Sequence, residues 1–315
     1  MRRYIVNLGV AVVVVCLIFC CYVWLPFHED RLMIGATYMT LNNRFFNSIN
    51  EQVEKEVDIR SDQLIVREPS LSIDKQVEEI HEMIKDGIDA LIINPVDGNS
   101  KAISQALKDA KVAGVKVIVV DTPMYDDRYV DTTIVSNNYR AGCLDAKCMM
   151  KNQKSARIFL LEHRTAISAV DRIRGFLDTI KGHKNYRVVA RANCYGQTLQ
   201  AMKESKKFLK KKIHFDTLMS LNDPSALGAL AAFDEANLSG INIYSVDGSP
   251  DLKGIIASNK FVCVTAAQFP LSIGTKAVQA AYALIKGKKV DHTIDIPVTL
   301  ITKENVAKYS LTGWQ

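Results

Sequence analysis

From Arg31 onward, short β-branched apolar runs alternate with amphipathic stretches. Leu32 to Thr37 and Gln63 to Arg67 read as strands, while Phe46 to Glu56 and Ile73 to Lys85 space their apolar residues as helices with one buried face. Ala90 to Asn94 and Lys116 to Asp121 are largely apolar runs, each followed by a proline turn at Pro95 or Pro123, with a helix predicted over Lys101 to Val112 between them. After Val135-Ser136-Asn137 a second, similar series begins. It predicts strands at Arg157 to Leu161, Arg187 to Arg191, Thr217 to Leu221 and Ile241 to Val246. Helices are predicted at Ala141 to Lys151, Ile167 to Ile180, Leu199 to Leu209 and Ser225 to Glu235. Strands that are apolar throughout are buried on both faces, so the alternation predicts an α/β protein of two Rossmann-like lobes, each a parallel sheet covered by helices. Ligands of such sheets sit at the carboxyl ends of the strands, and the cleft between two lobes is the expected site.

The first residues break this pattern. Met1, Arg2 and Arg3 precede an apolar segment from Ile5 to Phe27, interrupted only by Asn7 and Gly9. About 20 apolar residues span a bilayer as a helix. The basic pair predicts a cytoplasmic start, Tyr22 and Trp24 suit the far interface, and everything after His28 is expected outside the cell membrane. Residues 1–30 therefore read as an uncleaved single-pass anchor with a short spacer. Lipoprotein processing at Cys20 or Cys21 is the competing reading, but the preceding residue would be Phe19 or Cys20, where a small one is usual.

Composition narrows the function. With 315 residues, 48% hydrophobic and 23% charged, the chain is long enough for about two domains. The net charge of +6 is partly concentrated in Lys206, Lys207, Lys210, Lys211 and Lys212, a run without aromatic or helix-turn-helix context, so no nucleic-acid partner is expected. Cys16, Cys20 and Cys21 lie in the apolar run, and Cys143, Cys148, Cys194 and Cys263 are scattered without metal-ligand spacing. There is no Gly-rich phosphate loop, no Gly-x-Ser-x-Gly and no histidine pair, and His163 has no motif around it. Neither catalysis, metal nor cofactor is expected.

Several predicted strands end in polar residues: Thr40 and Asn43 after the first, Asp121 after the fourth, Asn222 and Asp247 in the second lobe. A sugar hydroxyl both donates and accepts, so carboxylates and amides bind adjacent hydroxyls in pairs while aromatic rings cover the C–H face. Phe45 and Phe46 supply rings beside Asn43. Taken singly, an Asn or Asp at a strand end is equally a helix cap and a Phe pair is equally core.

The order of the motifs is more specific. Thr40-Leu41-Asn42-Asn43-Arg44-Phe45-Phe46, Ile92-Ile93-Asn94-Pro95 and Val117-Ile118-Val119-Val120-Asp121 closely resemble the first lobe of ribose-binding protein and its relatives, the type I periplasmic binding proteins. Asp171-Arg172-Ile173-Arg174-Gly175-Phe176 and Asn222-Asp223-Pro224-Ser225-Ala226-Leu227-Gly228-Ala229-Leu230 are similar to motifs of the second, and Val246-Asp247-Gly248-Ser249-Pro250 and Ala267-Gln268-Phe269-Pro270 complete the series. The resemblance covers Leu32 to about Lys308 and implies a first lobe of 31–136 plus 268–291, a second of 137–267 plus 292–315, and a hinge of three crossings near Ser136, Ala266 and His292.

It also implies ligand contacts at Thr40, Asn43, Phe45, Phe46, Asp121, Arg172, Asn222, Asp247 and Gln268, with Tyr195 aligned, across a one-residue gap, to the stacking ring of the second lobe. Two departures bear on specificity. Thr122 stands where the ribose binders carry Arg after the equivalent of Asp121, and Arg44 stands where the family usually has Pro. Either Thr122 makes room for a hexose, a substituted sugar or a cyclitol, or Arg44 supplies the missing donor. The implied function is extracytoplasmic capture of a small sugar or polyol for the permease of an ABC-type importer. The alternative is a sensor subunit reporting the ligand to a membrane histidine kinase or chemoreceptor.

Overall fold

The computed structural model describes residues 14–15, 31–258 and 263–315. The first apolar runs form β1 (Met33–Tyr38), β2 (Gln63–Arg67), β3 (Ala90–Asn94), β4 (Lys116–Val120) and β5 (Thr132–Ser136). Between them lie α1 (Arg44–Asp58), α2 (Ile73–Asp86) and α3 (Lys101–Val112). The second series gives α4 (Asn138–Asn152), β6 (Ala156–Glu162), α5 (Ile167–Ile180), β7 (Tyr186–Asn193), α6 (Thr198–Leu209), β8 (Thr217–Ser220) and α7 (Asp223–Glu235). It continues with β9 (Asn242–Asp247), α8 (Pro250–Ser258), β10 (Cys263–Ala267), α9 (Pro270–Ile285), β11 (Thr293–Ile296) and β12 (Thr299–Ile301).

Two six-stranded sheets result, ordered β2-β1-β3-β4-β5-β11 and β7-β6-β8-β9-β10-β12. Each reverses its strand order beside its first strand, so a crevice opens there at the carboxyl ends. The all-apolar strands are the central ones: every residue of β3 is buried, as are the last four of β4. Ile80, Met83, Ile103 and Leu107 from α2 and α3 close over one face of the first sheet. In the second lobe Phe159 stacks on Phe208 at 4.1 Å, and Phe215 joins that pair to Phe233. Burying each such side chain contributes roughly 1.5–3 kcal/mol.

Three connections join the sheets. The chain leaves β5 for α4 at Asn137, returns from β10 to α9 at Gln268 and Phe269, and leaves β11 for β12 at Pro297 and Val298. The third corrects the crossing expected near His292. Thr293–Ile296 pairs in parallel with Thr133–Ser136, so this stretch still belongs to the first sheet. β12 then enters the second sheet antiparallel to β10, against the expectation of purely parallel sheets, because the short connection at 297–298 brings it in from the cleft end. Among the described residues no helix is long and apolar enough to cross a membrane. The expected anchor over Ile5 to Phe27 lies outside the described residues apart from Val14 and Val15.

One close approach matters for the site. A Cβ on Gly142 of α4 would fall 1.8 Å from the Arg172 carbonyl of α5, and one on Gly175 would fall 2.1 Å from the Tyr139 carbonyl. Only glycines let these two helix backbones touch, and the contact brings Asn138 of α4 beside the Arg172 side chain.

Candidate functional site

The strand ends converge on one cleft. Asn43, Phe45, Phe46, Asp121, Thr122, Arg172, Tyr195, Asn222, Asp247 and Gln268 all line it, drawn from both sheets. Thr40 does not. It is 3% exposed, and its hydroxyl accepts from the Asn42 N–H at 3.2 Å, so it shapes the turn that leads into α1.

Local structure fixes several of these groups. Asn43 is the N-cap of α1, accepting from the Phe45 N–H at 3.0 Å, which sets Phe45 and Phe46 on the first helical turn, edge to face at 5.5 Å. Asn222 caps α7 through the Ser225 N–H at 3.1 Å, and its amide donates to the Gly196 carbonyl at 3.1 Å. Capping and cleft placement therefore coincide in the same two asparagines. Asp121, Tyr195 and Asp247 have φ of 64°, 54° and 139°. Such backbone costs on the order of 1–3 kcal/mol per residue and is held only where the surroundings demand it.

At the centre lies Arg172, 5% exposed. Its Nε donates to Asn138 Oδ1 at 2.7 Å, and its Nη1 donates to the Leu221 carbonyl at 3.0 Å and to Asp247 Oδ1 at 3.3 Å. Its Nη2 stands 4.0 Å from Asp121 Oδ1 across the cleft. Gln268 Nε2 donates to Asp247 Oδ1 at 2.7 Å. Asp121 Oδ1 and Gln268 Oε1 are buried without a hydrogen-bond partner. Burial raises the pKa of Asp121, opposed by Arg172 and by the Thr122 hydroxyl, and burial likewise raises Asp247, opposed first by Arg172. Unpaired buried acceptors beside a buried guanidinium are costly in a core but suit a site for neutral hydroxyl groups.

The sequence reading missed His163, Ser168 and Asn138. The Ser168 and Thr122 hydroxyls are 3.1 Å apart, one from each lobe. His163 lies just after β6 and lines the cleft, with its ring edge to face on Tyr195 at 5.5 Å. Its Nδ1 accepts from the N–H of Ala166, the residue that leads into α5, at 3.2 Å, and burial lowers its pKa against the pull of Asp97. The strand-end rule that singled out Asp121 applies equally to His163. Arg44, weighed as a substitute donor, instead pairs with Asp251 of α8 at 3.1 Å, with its side chain 71% exposed at the cleft mouth.

Residues 34–289 match the family model described as periplasmic binding protein domain. The chain belongs to the periplasmic binding protein family. This periplasmic binding protein is 32% identical over 279 residues to the ribose import binding protein of Bacillus subtilis (strain 168), covering 88% of this chain and 89% of that one. The solved structure of an ABC transporter solute binding protein from Mycobacterium smegmatis with bound glycerol is similar at a TM-score of 0.85 and 25% identity, covering 91% of this chain and 100% of that chain. The binding protein of the arabinose ABC transporter from Shewanella sp. ANA-3, bound to L-arabinofuranose, is similar at a TM-score of 0.82 and 28% identity, with coverage of 88% and 93%.

Proposed function

We propose that this periplasmic binding protein closes its lobes over a small sugar or polyol outside the cytoplasm and presents it to an ABC-type importer, held at the membrane by Ile5 to Phe27. The observation that carries the reading is the buried Arg172 with Asp121 and Asp247 on either side, next to the unpaired Asp121 Oδ1 and Gln268 Oε1 and walled by Phe45 and Phe46. Carboxylates and an amide at this level hold paired hydroxyls, and the rings cover a C–H face. The names of the similar proteins, an importer-binding protein for ribose and another for arabinose, support a sugar of about pentose size or slightly larger. They also favour delivery over sensing, since both are named as parts of importers.

The test is a thermal-shift screen of the full chain with D-ribose, L-arabinose, D-allose, xylitol, myo-inositol and glycerol. At 100 times its Kd a ligand stabilises the folded state by about 2.7 kcal/mol, so at least one sugar is expected to raise Tm by several degrees. Asp121→Ala and Asp247→Ala are each expected to weaken that sugar about 100-fold in calorimetry with circular dichroism unchanged. Charge-assisted hydrogen bonds contribute roughly 1.5–3 kcal/mol each. No shift with any of the six, or full affinity in both variants, refutes the proposal.

A further inference from the structure

Lys253 of α8 is fully buried, and among the described residues its ammonium meets no carboxylate at ion-pair distance. It donates instead to the Gly313 carbonyl at 2.7 Å and to Gln315 Oε1 at 3.1 Å. A buried ammonium without acceptors is strongly disfavoured, so residues 313–315 are seated on the second lobe by a group that needs them. Gln315 Nε2 donates in turn to the Asp247 carbonyl at 3.2 Å and to the Gln268 carbonyl. Those are the two cleft residues whose side chains hold one another. Between them lies Gly248, with φ 77°, where a Cβ would fall 2.5 Å from Gln315 Nε2, so the close seating requires glycine there.

Seated in this way, Trp314 reaches over the cleft mouth. Its ring stands edge to face on Phe45 of the first lobe at 5.6 Å and 72°. It borders a groove shared by Asn43 and Arg44 on one side and by Leu227 and Asp251 on the other. Resting on the sugar-binding reading above, we propose that residues 313–315 form a latch on the cleft, in which Trp314 is a positioning residue that holds Phe45 over bound sugar and slows its release.

The sequence has two tryptophans, Trp24 and Trp314, so the full chain carrying Trp24→Phe reports Trp314 alone. Without sugar, Phe45→Leu is expected to raise acrylamide quenching of Trp314 emission. Release of labelled D-ribose, L-arabinose or myo-inositol from Trp314→Ala is expected to be about 3- to 10-fold faster, the scale of one aromatic pair. Trp314→Phe should restore most of the wild-type rate, and the Tm of sugar-free Trp314→Ala should stay within roughly 2 °C of wild type, less than one lost core contact would cost. A wild-type release rate in Trp314→Ala overturns the latch. So does quenching unaffected by Phe45→Leu, a measurement that stands even if no sugar binds. Quenching that responds to Phe45→Leu in a protein that binds none of the sugars leaves the latch contact standing and removes the sugar reading alone.

Discussion

The Thr122 hydroxyl donates to Asp121 Oδ2 at 3.1 Å and meets Ser168 from the opposite lobe, so this side chain closes the cleft with a short neutral group where the resembling ribose binders extend a guanidinium. Arg44 does not make up the loss. Its exposed pair with Asp251 contributes about 0–1 kcal/mol at most, and the charge faces solvent at the rim. Specificity is therefore expected to rest on the space that Thr122 leaves. Thr122→Arg should weaken the best-bound sugar of the screen by at least tenfold, whereas Arg44→Ala should change it by less than about threefold. Calorimetric titration of both variants decides this. A tenfold or greater loss on Arg44→Ala, the size expected for a charged hydrogen bond to ligand, would return the donor role to Arg44.

Helix α4 carries a different kind of residue. Asp145 faces β9 and β10 with no exposure, and neither of its oxygens has a hydrogen-bond partner. Burial raises its pKa well above the ordinary value, the nearby Asp223 carboxylate adds to the rise, and Arg172 opposes it. A carboxyl whose pKa is higher folded than unfolded binds more protons in the native state. Its stabilising contribution is therefore full below the unfolded value of about 3.9 and is lost as pH rises through the folded one. Asp145→Asn removes the titration at nearly the same shape. The variant's Tm relative to wild type is expected to climb as pH is raised from 5 to 8, each unit of displaced pKa corresponding to about 1.4 kcal/mol. A difference that stays constant over that range would show that Asp145 titrates normally. Asp223, also raised by burial, interacts with Asp145, so its own pKa falls when that charge is removed and its change adds to the same trend.

Across the whole molecule, the lobes meet at Arg172 and Asp121, Thr122 and Ser168, Arg44 and Asp251, and Phe45 and Trp314. Asp121 and Asp247 are 4% and 3% exposed, so a sugar reaches them only after the lobes part at the three connections. The few residues at 137, 268–269 and 297–298 must absorb that rotation. A ligand touching both lobes shifts the equilibrium further toward this closed arrangement, which the contacts between the lobes already populate, and a membrane partner can read that shift. The proposed attachment through Ile5 to Phe27 predicts that protein extracted from membranes keeps its full amino terminus in intact-mass analysis. Loss of about twenty residues with a diacylglyceryl group gained at Cys20 or Cys21 would replace the helix with a lipid anchor.

Much of this was legible in the order of residues. β3 and α3 fall on their predicted bounds because continuous apolar runs and a 3.6-residue period are local signals, and Pro95 marks the end of β3. Asn43, Asp121, Asn222 and Asp247 line one cleft, as expected, because carboxyl ends of parallel strands share one edge, so position in the pattern is position in space. What the pattern could not carry was decided by contacts between residues distant along the chain. Pairing of Thr293–Ile296 with β5 moved the third crossing, the turn at Asn42 took Thr40 out of the cleft, and Asp251 claimed Arg44. His163 and Trp314 belong to no periodic run, and each gained its place only when another part of the chain, the turn after β7 or the start of α1, brought a ring against it. Periodicity records which face a residue turns to the core, whereas its partner on that face exists only once the lobes have packed.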